Sequence, residues 1–224
     1  MPTYIKTNDF TWVFQEIVNT YGIPRYKEFN PAVFNIITFP FLFGMMFGDI
    51  AHGLFLLIFG LYILINSKNI ESNDNSRLKV FVKAKYILPM MGFFAVYCGF
   101  IYNDFASMAV PLSSSCYENK MVDNVLIGVR KKDCNYYFGI DHKWNASAND
   151  LSYMNSLKMK LSVIVGVFHM SLGIVLKGCN SIFFKDSLGF WFEFIPQITF
   201  MLAVFGYMDF MIILKWLTDW SGRG

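Results

Sequence analysis

Four stretches of this chain contain neither lysine nor arginine: Phe34 to Ile65, Tyr86 to Tyr102, Leu161 to Leu176 and Phe190 to Leu214. A membrane-crossing helix needs about 20 mostly apolar residues. The first stretch is too long for one crossing, because its 32 positions would extend about 48 Å against a hydrocarbon core of about 30 Å. Gly48, Asp49, His52 and Gly53 interrupt its middle, so two short helices turning there fit better than one tilted rod. The expected fold is all-α: a polytopic transmembrane helix bundle of about five spans, the first two forming a tight hairpin. Composition agrees, since 16% of the residues are charged and 55% hydrophobic, where a soluble domain carries about 25% charged. That argues against a cytosolic enzyme, and a scattered net charge of +3 argues against a nucleic-acid binder.

The loops set an expected orientation. Residues 66–85 hold Lys68, Arg77, Lys79, Lys83 and Lys85 against Glu71 and Asp74, a basic cluster that the positive-inside rule puts in the cytoplasm. The stretch 103–158 then faces the lumen or the exterior, although its Arg130-Lys131-Lys132 run and Lys158/Lys160 pull the other way. Two features of that stretch support the luminal side. Asn145-Ala146-Ser147 is an N-x-Ser glycosylation acceptor, and a disulfide between Cys116 and Cys134 would persist in an oxidising compartment. Cys98 and Cys179 fall in or beside spans and read as small packing residues. Residues 1–25 lack the pattern of a signal peptide. Asn8-Asp9 instead caps a helix over Phe10 to Tyr21, stopped by Gly22-Ile23-Pro24.

Ionisable groups inside apolar stretches are the candidate functional residues, because charge is costly there. Asp49 and His52 lie three apart and share a helix face if the turn stays helical. They either hold water and pass protons at the luminal mouth or cap a tight turn. His169 lies on the same face as Ser162 and either relays protons or makes an interhelical hydrogen bond. Asp209 sits near the luminal end of the last stretch, within reach of water; Glu193 and Lys215 bracket that stretch and set its depth, and Pro196 kinks or starts it. No phosphate-cradling glycine loop, metal-ligand cluster or nucleophile–base pattern is visible, so no catalytic residue, metal or cofactor is expected.

Blocks of residues in order along the chain carry a resemblance. They include Pro2 to Asn8, Ile37-Thr38-Phe39-Pro40-Phe41-Leu42-Phe43, Met46-Phe47-Gly48-Asp49 with His52-Gly53, and Gly99 to Asp104. Further on come Tyr137 to Asp141 with Trp144, Asn155 to Ser162, His169-Met170, Phe194-Ile195-Pro196, Phe205-Gly206-Tyr207 and Lys215-Trp216. Together they resemble the membrane domain of subunit a of vacuolar-type proton-pumping ATPases. The resemblance implies a non-catalytic stator subunit, with ATP hydrolysed elsewhere in the complex. Protons would pass through half-channels to carboxylates on a proteolipid c-ring, acidifying a lumen. Implied partners are that ring, other membrane-sector subunits, the cytosolic ATPase sector through a preceding N-terminal domain, and the lipid bilayer. The implied location is an endomembrane (vacuole, lysosome, endosome or Golgi) or the plasma membrane. It also makes Asp49, with His52, Asp209 and His169, the proton-path candidates. The essential arginine of the family lies in later spans and is absent here, so a membrane-embedded assembly or scaffold protein that binds pump subunits without transport is the alternative. Ala51 and Tyr137 depart from the glycine and proline common in the family.

The expected organisation is a cytoplasmic connector over 1–31; three spans over 32–102; a luminal loop over 103–158; two spans joined by a short cytoplasmic loop over 159–214; and a luminal, truncated connection over 215–224.

Overall fold

A computed structural model describes residues 3–72, 78–122, 125–131 and 134–218. Asp74 and Arg77 of the basic loop, Lys132 and the closing residues 219–224 lie outside the described residues. The chain is mostly helical and divides into two compact units, Met1–Leu42 with Met159–Gly224, and Phe43–Lys158.

In the first unit, α1 (Asp9–Asn19) opens with the Asn8 N–H donating to Thr11 Oγ1 at 2.9 Å. Phe14 and Val18 on its inner face are buried, as is Gln15, whose amide is satisfied by Asn19 and Asn30. The helix ends before Gly22-Ile23-Pro24. Next, α2 (Ala32–Phe47), whose end from Phe43 belongs to the second unit, contains the buried Pro40, which has no N–H to donate to the turn before it.

The second unit is built on α3 (Ile50–Ile65) and α6 (Ile87–Tyr102), with the short helices α4 (Ser67–Ser72) and α5 (Lys79–Val82) between them. The α3–α6 contact is a seam of glycines at seven-residue spacing on both sides. A Cβ on Gly53 or Gly60 would fall 2.8 or 2.6 Å from the backbone nitrogen of Val96 or Pro89. One on Gly92 or Gly99 would fall 2.5 or 2.6 Å from that of Leu57 or Ile50. Backbone touches backbone, the packing that small residues permit between apolar helices. Cys98 is buried on α6, whereas Cys179 is exposed.

The all-α expectation needs one correction. In the same unit β1 (Tyr117–Val122) and β2 (Val125–Arg130) pair antiparallel, Tyr117 with Arg130 through Val122 with Val125. That register leaves a two-residue connection, and the Cys116–Cys134 disulfide, with Cα atoms 5.5 Å apart, closes the open end of the ribbon.

The first unit also holds α7 (Asp150–Phe183) and α8 (Ser187–Leu217), except that the opening of α7 to Lys158 belongs to the second unit. Both helices are long and apolar enough to cross a membrane. Neither buries much of its apolar surface: Phe168, Trp191, Phe192 and Leu217 are all exposed. At Asp150, α7 starts within the stretch read from sequence as loop, because the polar turns before Leu161 are helical without being apolar. Lys177 on α7 pairs with Glu193 on α8. Pro196 stands inside α8, at the start of its α-helical segment Ile195–Met201. It follows a π-helical turn, Phe190–Phe194, in which the Ile195 N–H reaches back to the Phe190 carbonyl. The wider turn makes room for a ring that an α-turn would force against the preceding carbonyl. A second π-turn spans Leu202–Gly206.

Candidate functional site

The polar interruption between α2 and α3 is a built turn. Extended at φ −147°, Asp49 is the N-cap of α3. Its Oδ1 accepts from the Ala51 N–H at 2.9 Å and from the Ala106 N–H at 3.0 Å, and its Oδ2 is bonded to His52 Nδ1. The Asp49 side chain is 14% exposed and that of His52 66%, so the imidazole lies between solvent and a shielded carboxylate. Chemically, a proton taken up on the ring from water has a hydrogen-bonded route to Asp49.

The loop that follows α6 closes over this turn. Asn103 caps α6 in the left-handed region at φ 53°, and the Ile50 N–H donates to the Asp104 carbonyl at 3.0 Å. Lys158, near the start of α7, brings its ammonium within 2.7 Å of Asp104 Oδ2, 3.3 Å of the Gly48 carbonyl and 5.1 Å of the Tyr102 ring centre. Tyr102, Asp104 and Lys158 border a cavity of about 230 Å³ also lined by Asp141, Trp144, Asn145 and Asp150. The Asn145 side chain is exposed at its rim, reaching toward the Ser107 carbonyl at 3.5 Å.

Asp141 organises the far wall. It caps the 3-10 turn His142–Ala146, accepting from the Lys143 N–H at 3.1 Å, the Ser115 hydroxyl at 2.8 Å and the Cys116 N–H at 2.9 Å. Burial alone would raise this carboxyl, but the Lys143 N–H, the Ser115 hydroxyl, the Cys116 N–H and the His142 ring together hold it below the usual carboxylate value. Trp144 stacks on Tyr153 with centroids 5.1 Å apart, and Gly139 sits at φ +69° where a Cβ would meet the Ile101 carbonyl at 2.4 Å. The disulfide is thereby tied through Asp141 to the cavity wall.

The remaining candidates belong to the other unit. His169 Nε2 is 3.0 Å from Thr38 Oγ1. That hydroxyl also approaches the Phe34 carbonyl at 3.0 Å, so with its one proton committed there it accepts from the imidazole. Asp209 is buried, and its Oδ1 has no hydrogen-bond partner among the described residues. The structure therefore joins Asp49 to His52 and His169 to Thr38, and joins neither His169 nor Asp209 to a second titratable candidate among the described residues. Sequence reasoning missed Asp104 and Lys158 as site residues. They are 54 positions apart, and only the end of an apolar run marked Asp104 as worth pairing.

The model of the V-type ATPase 116kDa subunit family matches residues 1–224. The chain is 43% identical over 222 residues to "V-type proton ATPase subunit a3" of Arabidopsis thaliana, covering 97% of this chain and 27% of that protein. It is 40% identical over 247 residues to "V-type proton ATPase 116 kDa subunit a 3" of Homo sapiens, covering 99% of this chain and 29% of that one. With "V-type proton ATPase 116 kDa subunit a 1" of Mus musculus the identity is 39% over 234 residues, 96% of this chain and 28% of the relative. The chain thus spans a little over a quarter of the length of these relatives.

Proposed function

The chain belongs to the V-type ATPase 116kDa subunit family, and from that membership we propose that it serves as part of the non-catalytic a subunit of a rotary proton pump, embedded in the membrane and contributing to lumen acidification. The observation that carries this reading is the match along nearly the whole chain to relatives named as V-type proton ATPase subunits a. The Asp49–His52 turn supports a part in the proton path, since a solvent-facing imidazole is bonded to a shielded carboxylate. ATP hydrolysis falls to other subunits, and the expected partners are a proteolipid ring, further membrane-sector subunits and the cytosolic ATPase sector.

In this reading α2, α3, α6, α7 and α8 are the five spans, α2 and α3 forming a hairpin at Gly48-Asp49. Each of the first three has 16 residues, about 24 Å, and needs a thinned bilayer or ordered polar flanks to cross about 30 Å. Residues 66–85 lie in the cytoplasm and 103–158 in the lumen of an endomembrane compartment, where Cys116–Cys134 stays oxidised and Asn145 carries a glycan. The exposed position of Asn145 supports that last point.

The test uses the full-length protein in its complex. Asp49→Asn and His52→Gln are each expected to lower ATP-driven proton uptake into sealed vesicles while the complex still assembles. Unchanged uptake in both would remove this turn from the proton path. A complex that fails to assemble would favour the scaffold alternative.

A further inference from the structure

Two consecutive residues that are not glycine, Ala106 and Ser107, stand in the left-handed region at φ 50° and 65°. L-residues persist there only where their surroundings over-determine them. In the second unit those surroundings are explicit. Phe105 and Met108 exchange backbone hydrogen bonds at 2.9 Å across the turn, and the Ser107 N–H donates to Asp104 Oδ1 at 3.0 Å. The other carboxylate oxygen of Asp104 is held by the Lys158 ammonium at 2.7 Å. That pair is shielded, its lysine side chain 16% and its aspartate 24% exposed.

The turn aims one donor. Its Ala106 N–H reaches Asp49 Oδ1 at 3.0 Å, where the Ala51 N–H also arrives at 2.9 Å. With Oδ1 accepting twice, Oδ2 is left to the His52 ring. Lys158 approaches the same carboxylate by a second route. Its ammonium donates to the carbonyl of Gly48, the residue before Asp49, and lies over the Tyr102 ring. That ring fills the space beside Gly48, where a Cβ would fall 2.6 Å from Tyr102 Cδ2. We propose that Lys158 is a positioning residue for Asp49, holding the 104–108 turn through Asp104 and the α2–α3 turn through Gly48, so that the carboxylate presents one oxygen to His52. Removing the ammonium leaves Asp104 charged and unpaired in a shielded place, and the left-handed turn loses its anchor. The proposal rests on the part given above to Asp49 in the proton path.

The test uses the full-length protein in its complex, with the initial rate of ATP-driven proton uptake into sealed vesicles normalised to assembled complex. Lys158→Met is expected to lower uptake about tenfold. Lys158→Arg, which keeps the charge beside Asp104, should retain most of it. Glycine enters the left-handed region without strain, so adding Ala106→Gly and Ser107→Gly to Lys158→Met should raise uptake again, by about fivefold. In the Asp49→Asn background, Lys158→Met should cost no more than about twofold further, because the group it positions is gone. A purely structural role gives the same loss in both backgrounds. That result, wild-type uptake in Lys158→Met, or no recovery with the two glycines would each overturn the assignment. If Lys158→Met does not assemble, Lys158→Gln is read in the same comparisons; failure of both to assemble assigns the lysine to folding and overturns the proposal too. Wild-type uptake in Asp49→Asn sinks the proton-path reading itself, whereas reduced uptake there with an undiminished Lys158 effect confines the failure to positioning.

Discussion

At the scale of single residues, Asp141 holds more structure than its place in a loop suggests. Three donors from two segments, Ser115-Cys116 and Lys143, converge on its carboxylate, one of them the N–H of a disulfide cysteine. Replacing it with alanine strands two backbone N–H groups, and a cost of about 2–4 kcal/mol is expected, read as a lower unfolding midpoint of the 103–158 segment and faster reduction of Cys116–Cys134. The pH dependence has a definite sign. Because the folded carboxyl titrates below its unfolded value of about 3.9, its stabilisation is complete above that value and is lost as pH falls through the lower folded value. The unfolding midpoint of the 103–158 segment should therefore be flat from pH 7 to 5 and fall only under stronger acid, and a fall that begins near neutral pH would count against Asp141 as its source. None of this was readable beforehand, since Asp141 is one carboxylate among many in a polar stretch. Asp49 was readable, because a charge inside an otherwise uncharged run has few innocent explanations.

Among the elements, the α3–α6 seam reverses an ordinary rule. In a free helix, glycine to alanine gains about 1 kcal/mol. At Gly92 the added methyl would fall 2.5 Å from the Leu57 nitrogen, so Gly92→Ala should instead cost about 1–3 kcal/mol and Gly92→Leu more. Thermal stability of the solubilised protein, with Gly166→Ala as an unhindered control, measures both. In α8, Pro196→Ala removes the reason for the first π-turn, and Ile195 should then donate to Trp191 in an α-turn. Slower hydrogen exchange at Ile195 is the expected signature. The helices themselves were legible from their apolar runs. The early start of α7 was not, because hydropathy is silent on a polar helical turn. The β1–β2 ribbon was hidden for a related reason: its two six-residue strands carry polar, charged and glycine residues rather than a clean alternation.

For the whole molecule, the topology proposed above makes the two faces chemically distinct. With Lys83→Cys and Ser147→Cys in otherwise cysteine-blocked full-length protein, a membrane-impermeant maleimide should label the first only from the cytoplasmic side and the second only from the opposite side. Labelling of both from one side would break the topology. The sequence carried this far because charge placement is a whole-chain property, whereas the Lys158–Asp104 pair depends on a fold that brings distant positions together. The glycine seam has a further bearing on how such a chain is made. A helix of 16 residues is a marginal candidate for entry into a bilayer by itself. In the five-span topology proposed above, backbone contact gives α3 and α6 a shared outer surface with little lining between them, so the ribosome-bound chain would gain by holding α3 at the insertion machinery until α6 has emerged. Insertion by pairs of helices rather than one by one is then the expectation, and a substitution that wedges the seam open is expected to show first as failed insertion.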